Sequence, residues 1–407
     1  IFPNLVAVTY NANYSNRSLS TASSGPAANR LQQRETIIVS QPEGATAGPA
    51  MPPFGDGPAL SYFEFWPAWK FYAPVWIAIA YLMVRHRSIR APLVANPGFP
   101  AGGLVGERKS ELFARLRGPE RRHLPDYVVV ERLDEPLKTQ WPLIESAFRA
   151  AGLGYPMVAK PDIGCRGAGV RPVRSPAELR QYAEEFPIGE RFLIQRMIDV
   201  QGEAGVFYVR DPGSKEGRIH SLTLKYFPHV VGDGRSTLRE LILADRRAGL
   251  VPQLYLGRFG DELNQIVPMG ESRRLVFSGS HSKGAIFRDG KDYITEAMRA
   301  RFDAIADAID GFHFGRFDVR FADFAALQRG DDFAIIEYNG AGAEMTHIWD
   351  SRTTLREAWG TLFHQFSLLF EVGMANRKRG VRPESWRSFF RQWQREKSLV
   401  KRYPATG

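Results

Sequence analysis

Two short stretches constrain this chain more than any others: Gly315-Arg-Phe-Asp-Val-Arg320 and Ile335-Ile-Glu-Tyr-Asn339. Successive side chains of a strand point to opposite faces, so a spacing of two shares a face. Arg316 and Asp318 then lie on one face of the first strand, and Glu337 and Asn339 on one face of the second. If the strands pair, three oxygen ligands converge beside a guanidinium. Carboxylates embedded in a run such as AIIEYN are hard to explain as a solvated surface. A buried charge needs a partner or a metal. The fold therefore has to bring these two strands to a site.

The surrounding pattern sets the class. Strands are predicted at 127–131, 156–160, 191–197, 205–210, 219–231, 315–323 and 333–339. Helices are predicted at 141–151, 176–186, 236–247, 293–310 and 354–371. Such alternation indicates an α+β or α/β unit of about 250 residues. There is no internal repeat. The single cysteine, Cys165, excludes a disulfide scaffold and any Cys-rich zinc site. As a nucleophile it has no histidine near it in sequence.

The upstream region reads differently. Residues 1–60 are rich in Ser, Ala, Asn, Gly and Pro and are expected to form a disordered extension. Translation is expected to begin at Met51. Residues 61–100 hold an aromatic, apolar segment expected to associate with a membrane. Its uncharged run Phe71–Val84 is 14 residues, about 21 Å as a helix. A bilayer core needs roughly 20 residues. Reaching back to Phe65 gives that length but takes in Pro67, Lys70 and Pro74. Lying in the interface, spanning once, and packing as a buried hairpin or oligomer contact all remain open. Arg85, His86, Arg87 and Arg90 follow, as on a cytoplasmic flank.

Charge points the same way. The net charge is +10. Residues 377–402 hold ten basic residues against Glu384 and Glu396, a local balance of 10 − 2 = +8. A basic tail suggests an anionic partner. Trp386, Phe389, Phe390 and Trp393 form an apolar stripe among its arginines. That suits lipid or the protein body, and we expect no nucleic acid partner.

Two further stretches carry chemistry. Lys160-Pro-Asp-Ile-Gly-Cys-Arg-Gly-Ala-Gly169 follows a strand. Gly164, Gly167 and Gly169 permit a tight loop whose N–H groups can face phosphate. It lacks the P-loop ending and the GxGxxG spacing. Phe192-Leu-Ile-Gln-Arg-Met-Ile198 is an apolar strand whose edge suits adenine, with Glu203 following for ribose.

Taken in order, these stretches resemble the ATP-grasp superfamily over about residues 105–350. They look like its D-alanine–D-alanine ligase-like and cyanophycin synthetase-like carboxylate–amine ligases, the latter through Val231-Gly-Asp-Gly-Arg-Ser-Thr-Leu-Arg-Glu-Leu-Ile242. The resemblance implies an α+β ATP-grasp fold, two α/β subdomains clasping ATP, over 101–350. C-terminal helices and the basic tail would occupy 351–407. It implies that Lys160 binds ATP phosphates under Gly164, Gly167 and Gly169. Gln195 and Met197 would flank adenine, and Glu203 the ribose. Lys109 would match an early family lysine. Lys225 and Arg316 would be catalytic, facing the γ-phosphate. Asp318, Glu337 and Asn339 would hold Mg²⁺. Small-molecule carboxylate and amine (or thiol) substrates would be joined through an acyl phosphate.

The chain departs from the family in three ways. Gln195 stands where Glu is common. The usual N-terminal substrate domain is replaced by the aromatic segment and 96–103. Gly340-Ala-Gly-Ala-Glu344-Met-Thr-His347 follows the metal strand, with Glu344 and His347 as candidates for the acceptor pocket. His281 and Lys283 lie in a polar stretch expected to close over the substrate and are candidates for contact with an acidic substrate group. A kinase of the same superfamily and a non-catalytic ATP-binding membrane module are the rival readings. The expected location is the cytoplasm, at the inner face of the cell membrane, and a homodimer is compatible.

Overall fold

The computed structural model describes residues 51–164 and 166–406. Among these residues the first helix is α1 (Ala68–Arg85), followed by short helical turns and α2 (Lys109–Arg115). Then come β1 (Tyr127–Glu131), α3 (Leu137–Ala150), β2 (Met157–Pro161), β3 (Arg171–Val173), α4 (Pro176–Glu185) and β4 (Arg191–Arg196). These four strands form an antiparallel sheet in the order β1-β4-β2-β3. Helices α3 and α4 cover it, burying Trp141, Ile144, Phe148, Leu179 and Tyr182 against Met157, Phe192 and Ile194. Helix α4 starts where it does because the Ser175 side chain accepts from the Glu178 amide and Pro176 opens the first turn.

The larger unit holds β5 (Gly202–Val209), β6 (Arg218–Tyr226), β7 (His229–Val231), α5 (Leu238–Ala244), β8 (Ser272–Arg274) and β9 (Ile286–Asp289). It continues with α6 (Glu296–Asp307), β10 (Phe314–Phe321), α7 (Phe324–Gln328), β11 (Phe333–Asn339), α8 (Leu355–Lys378) and α9 (Trp386–Val400). Five strands pair antiparallel in the order β11-β10-β5-β6-β9, and β7-β8 is a separate ladder. Phe317, Val319 and Ile335 are buried with Met298, Phe302 and Ile305 of α6. The alternate residues Arg316, Asp318 and Arg320 therefore face the other way, toward the first sheet. The α+β class expected from the sequence is what the chain adopts.

Two expectations for the upstream region need correction. Residues 51–60 are laid on the body rather than unstructured. The Tyr226 hydroxyl donates to the Pro52 carbonyl at 2.8 Å, and the Arg288 guanidinium lies 3.9 Å over the Phe54 ring. Met51 and Leu60 pack against apolar clusters, which anchors this polar, proline-rich stretch. Residues 1–50 lie outside the described residues, as does Cys165, and with them the reading of a start at Met51.

The single-span reading of the aromatic segment also fails. No helix among the described residues is long and apolar enough to cross a membrane. Instead α1 buries Phe71, Tyr72, Val75, Ile79 and Leu82. Phe71 meets Trp349 with ring centroids 4.8 Å apart, and Trp359 of α8 donates to the Phe71 carbonyl at 2.9 Å. The His86 ring stacks on Phe370 farther along α8. The inner apolar face is core, while the outer face remains exposed. Most of the basic tail is likewise folded. Phe389 of α9 is buried beside Leu93, Ala101 and Val105, with Trp386, Phe390 and Trp393 packed around it. Its arginines Arg387, Arg391 and Arg395 are exposed.

Candidate active site

The charged faces of the two sheets enclose a cleft of about 330 Å³, within the range of small-molecule sites. Of the thirteen residues given nucleotide, metal or catalytic roles from the sequence, twelve line it; Gly169 does not. In the antiparallel pair β10–β11, Asp318 stands opposite Glu337 and Arg316 opposite Asn339. The face predicted from a spacing of two is thus assembled from both strands. The register slips between Asp318 and Val319, leaving Ile336 as the extra residue of a bulge. The Ile336 carbonyl accepts from Lys160 Nζ at 2.9 Å.

Asp318 is the hub. Arg316 holds both its oxygens, Nε to Oδ1 and Nη2 to Oδ2, each at 3.0 Å. Lys225 Nζ reaches Oδ1 at 2.8 Å and Glu203 Oε1 at 3.0 Å. Arg320 Nε completes the chain on Glu203 Oε2 at 3.0 Å. Burial alone would raise the Asp318 carboxyl, but Arg316 and Lys225 outweigh it and hold it at about 2. Burial would likewise raise Glu203, yet Lys225 and Arg320 lower it. Burial disfavours the Lys225 ammonium, and Asp318 and Glu203 reverse that. Both Glu203 oxygens are engaged here. The sequence reading left them free for ribose.

Lys160 is treated differently. Its Nζ donates to Gln195 Oε1 at 2.7 Å and to the Ile336 carbonyl, both neutral acceptors. Burial lowers it from 10.5 to about 7, with Glu337 opposing. Gln195 Nε2 is buried without a partner among the described residues, so it has a hydrogen bond left to give to a ligand. Lys109 Nζ bridges Glu337 Oε1 at 3.3 Å and the Gly164 carbonyl at 3.0 Å, tying the glycine loop to the β11 carboxylate.

Gly164 and Gly167 line the cleft, and Gly169 anchors the loop from behind. Gly169 has φ +70°, and a Cβ there would meet Pro161 Cγ at 2.8 Å and Tyr403 Cβ at 3.0 Å. The loop is strapped by the C-terminal residues: the Tyr403 hydroxyl donates to the Ile163 carbonyl at 2.6 Å, and Thr406 Oγ1 donates to the Gly167 carbonyl at 3.1 Å. Gly169→Ala is expected to strain this turn by about 1–2 kcal/mol. The variant should lose about that much stability, and a fall in the urea midpoint checks it.

Several cleft residues were missed from sequence. Arg320 shares the face of Asp318, a signal the spacing already offered. Glu107, half-buried, accepts from the Gly340 amide at 3.0 Å, and burial pushes its carboxyl to about 8. Nothing in its local sequence marks it. Tyr72 of α1 donates to Glu344 Oε1 at 2.6 Å, and Trp349 Nε1 donates to Oε2 at 3.0 Å. The His281 ring stacks on Trp349 at 4.4 Å, and burial keeps it neutral, at about 3. Of the four substrate-contact candidates, Glu344 and His281 line the cleft. His347 and Lys283 do not: His347 bonds Ser221, and Lys283 bonds Thr406.

Seven Lys or Arg and six carboxyls line the cleft, 7 − 6 = +1. Near neutral pH Glu107 is mostly protonated and Lys160 about half so, which leaves between one and two positive charges. Such a site attracts a polyanion. Among the described residues no three His, Cys, Asp or Glu stand together as a metal cage. Two carboxylates and one amide instead suit a magnesium ion that takes its other ligands from phosphate and water. The donor set therefore fits Mg²⁺.

Fold and cleft define an α+β protein with a phosphate-suited site between two antiparallel sheets. No family model matches the chain. It is 24% identical over 296 residues to cyanophycin synthetase of Trichormus variabilis and equally to that of a Nostoc species, covering 69% of this chain. The chain spans 31% of the length of these curated relatives. Among solved structures it overlaps a bifunctional glutathione synthetase from Pasteurella multocida, 18% identical over 63% of this chain and 36% of that one, with TM-score 0.31. It also overlaps D-alanine–D-alanine ligase from Bacillus anthracis, 14% identical over 67% of this chain and 69% of that one, with TM-score 0.37. TM-scores this low carry no argument about the fold. The sequence similarity bears out the resemblance to the ATP-grasp superfamily and its cyanophycin synthetase-like members.

Proposed function

We propose that the protein is an ATP-dependent, ADP-forming ligase that joins a carboxylate to an amine through an acyl phosphate. The observation that carries this is the convergence of Arg316, Asp318, Glu337 and Asn339 with Lys160 and Lys225 in one cationic cleft. The sequence similarity to cyanophycin synthetase supports it. A carboxylate oxygen of the acid attacks the γ-phosphorus of ATP, the bond to the bridging oxygen breaks, and ADP leaves. The amine then attacks the acyl carbon, phosphate leaves, and the amine gives up a proton.

The chain supplies position and charge, and needs no side-chain nucleophile. Asp318, Glu337 and Asn339 would hold Mg²⁺, which when bound neutralises phosphate oxygens. Arg316 is fixed by Asp318 and by the Glu344 carbonyl, so it costs little reorganisation as charge develops. Lys160 and Lys225 bring ammonium groups to the phosphates, and Gln195 Nε2 is a donor for the base. Glu344, between Tyr72 and Trp349, is an acceptor for an incoming ammonium. The basic C-terminal region and the exposed side of α1 support a location at the inner face of the cell membrane.

The test is release of ADP and phosphate from Mg-ATP against a panel of amino acids, small peptides and polyamines. Release that requires both an acid and an amine, and is lost in Asp318→Asn/Glu337→Gln, is the expected result. Release with one substrate and a phosphorylated product would make the protein a kinase. Equal Mg-ATP binding by wild type and the double variant, with no turnover, would leave only a binding module.

A further inference from the structure

Helix α1 is apolar on both sides, and only one side is covered. Trp69, Ile77, Tyr81 and Val84 are 66%, 73%, 61% and 77% exposed. With Ala73 and Ala80 between them they form one outward stripe opposite the buried Phe71, Val75 and Ile79. Tyr62 and Phe65, also exposed, extend the stripe at its N-terminal end. From Trp69 to Val84 it runs about 22 Å. Isolated exposed apolar residues are ordinary, but a continuous row of large ones marks an interaction face.

The row ends in a cluster of cations. Arg85, Arg87 and Arg90 follow the helix directly. Helix α8 runs alongside and brings Arg377, Lys378 and Arg379 to the same end, with Arg377 Nη1 donating to Ser88 Oγ at 2.7 Å. All six are exposed, and none forms an ion pair among the described residues. Between Asp56 and Glu107 the only acid is Glu64, buried against Arg247. Residues 57–106 thus contribute aromatic and aliphatic groups, the exposed Lys70 and a positive end to this face, and no exposed acid.

We infer that this face docks the protein flat on an anionic lipid bilayer, α1 lying in the interface plane and the six cations contacting acidic headgroups. The chemistry fits an interfacial helix: rings near the headgroups, aliphatic side chains between them, and a polybasic flank. Because the inner face is packed along α8, the helix presents only its side chains to lipid. A second copy of this chain is the weaker occupant, since the stripe offers these cations no counter-charge. The docking gives a surface to the membrane location proposed above, and does not depend on the ligase chemistry. It also sets the cleft close to the bilayer, because Tyr72 on the inner face of α1 lines the cleft, about one helix diameter from the lipid side.

The experiment is co-sedimentation of the full chain with phosphatidylcholine vesicles, with and without phosphatidylglycerol, at low and high salt. Ile77→Glu/Val84→Glu and Arg85→Glu/Arg87→Glu are compared with wild type. ADP release and thermal unfolding serve as controls, since none of these residues lines the cleft. Wild type is expected to pellet with the anionic vesicles only and to be released by salt. Each double variant should lose about tenfold in partitioning while keeping its melting temperature. Undiminished binding by Ile77→Glu/Val84→Glu would overturn this face while leaving the membrane location standing. No binding by wild type would overturn both and leave the ADP-release result untouched. A wild-type dimer that Ile77→Glu/Val84→Glu converts to monomer would make the face a self-interface. Binding that appears only after removal of residues 1–50 would make it a seat for that segment.

Discussion

Asp318→Asn should lower turnover by about 10²–10³-fold, as loss of one preorganised electrostatic group does, and should also destabilise the fold. The carboxylate holds Arg316 and Lys225 at once, and both stay buried or half-buried when it goes. An uncompensated buried charge costs about 3–5 kcal/mol. The two losses can be separated. Adding Lys225→Met to Asp318→Asn removes one orphaned charge and should return part of the stability but none of the turnover. Urea titration and ADP release on the four members of the cycle read each quantity. The pH dependence has a definite sign. The folded carboxyl titrates at about 2, below its ordinary 3.8. Its contribution is therefore complete above 3.8 and lost as pH falls through 2. The Asn variant should show a flatter acid limb.

How much of this site could be read from the chain follows from the kind of signal each residue gives. Arg316 with Asp318, and Glu337 with Asn339, were legible because a strand has period two. Strands β1 and β11 were predicted at their observed bounds. Strands β3, β8 and β9 were missed, since three or four residues do not display a period. The bulge that frees the Ile336 carbonyl for Lys160 has no local signature. The pairing of Glu203 with Lys225 and Arg320 arises only when β5 lies between β6 and β10, so a role for Glu203 alone could not anticipate it. Tyr72 was hidden for another reason. An apolar run looks the same whether lipid or protein covers it, and α1 meets the protein with the face that carries Tyr72. The strap by Tyr403 and Thr406 is a contact across more than two hundred residues, beyond any local pattern.

The second large effect falls on Lys160, and there stability and function should move apart. The drop from 10.5 to about 7 corresponds to roughly 5 kcal/mol against the charged form. Lys160→Met removes that burden below neutral pH. It also leaves Gln195 Oε1 and the Ile336 carbonyl without their donor, at about 1–3 kcal/mol each. The sum places the variant at pH 6 between about 1 kcal/mol less stable and about 3 kcal/mol more stable than wild type. Nucleotide affinity should nevertheless fall about 10- to 10²-fold, the weight of a buried charge-assisted bond to phosphate. Wild-type affinity should be full below about 7 and decline as pH rises through that value, because phosphate needs the ammonium and burial releases its proton. Glu107, at about 8, adds negative charge over the next unit and steepens the decline. In Lys160→Met the component centred near 7 should vanish and the one near 8 should remain. Titration calorimetry with Mg-ATP between pH 6 and 9, beside thermal unfolding at pH 6, checks both halves. A variant that lost stability in proportion to affinity would make Lys160 a structural ammonium rather than a phosphate ligand.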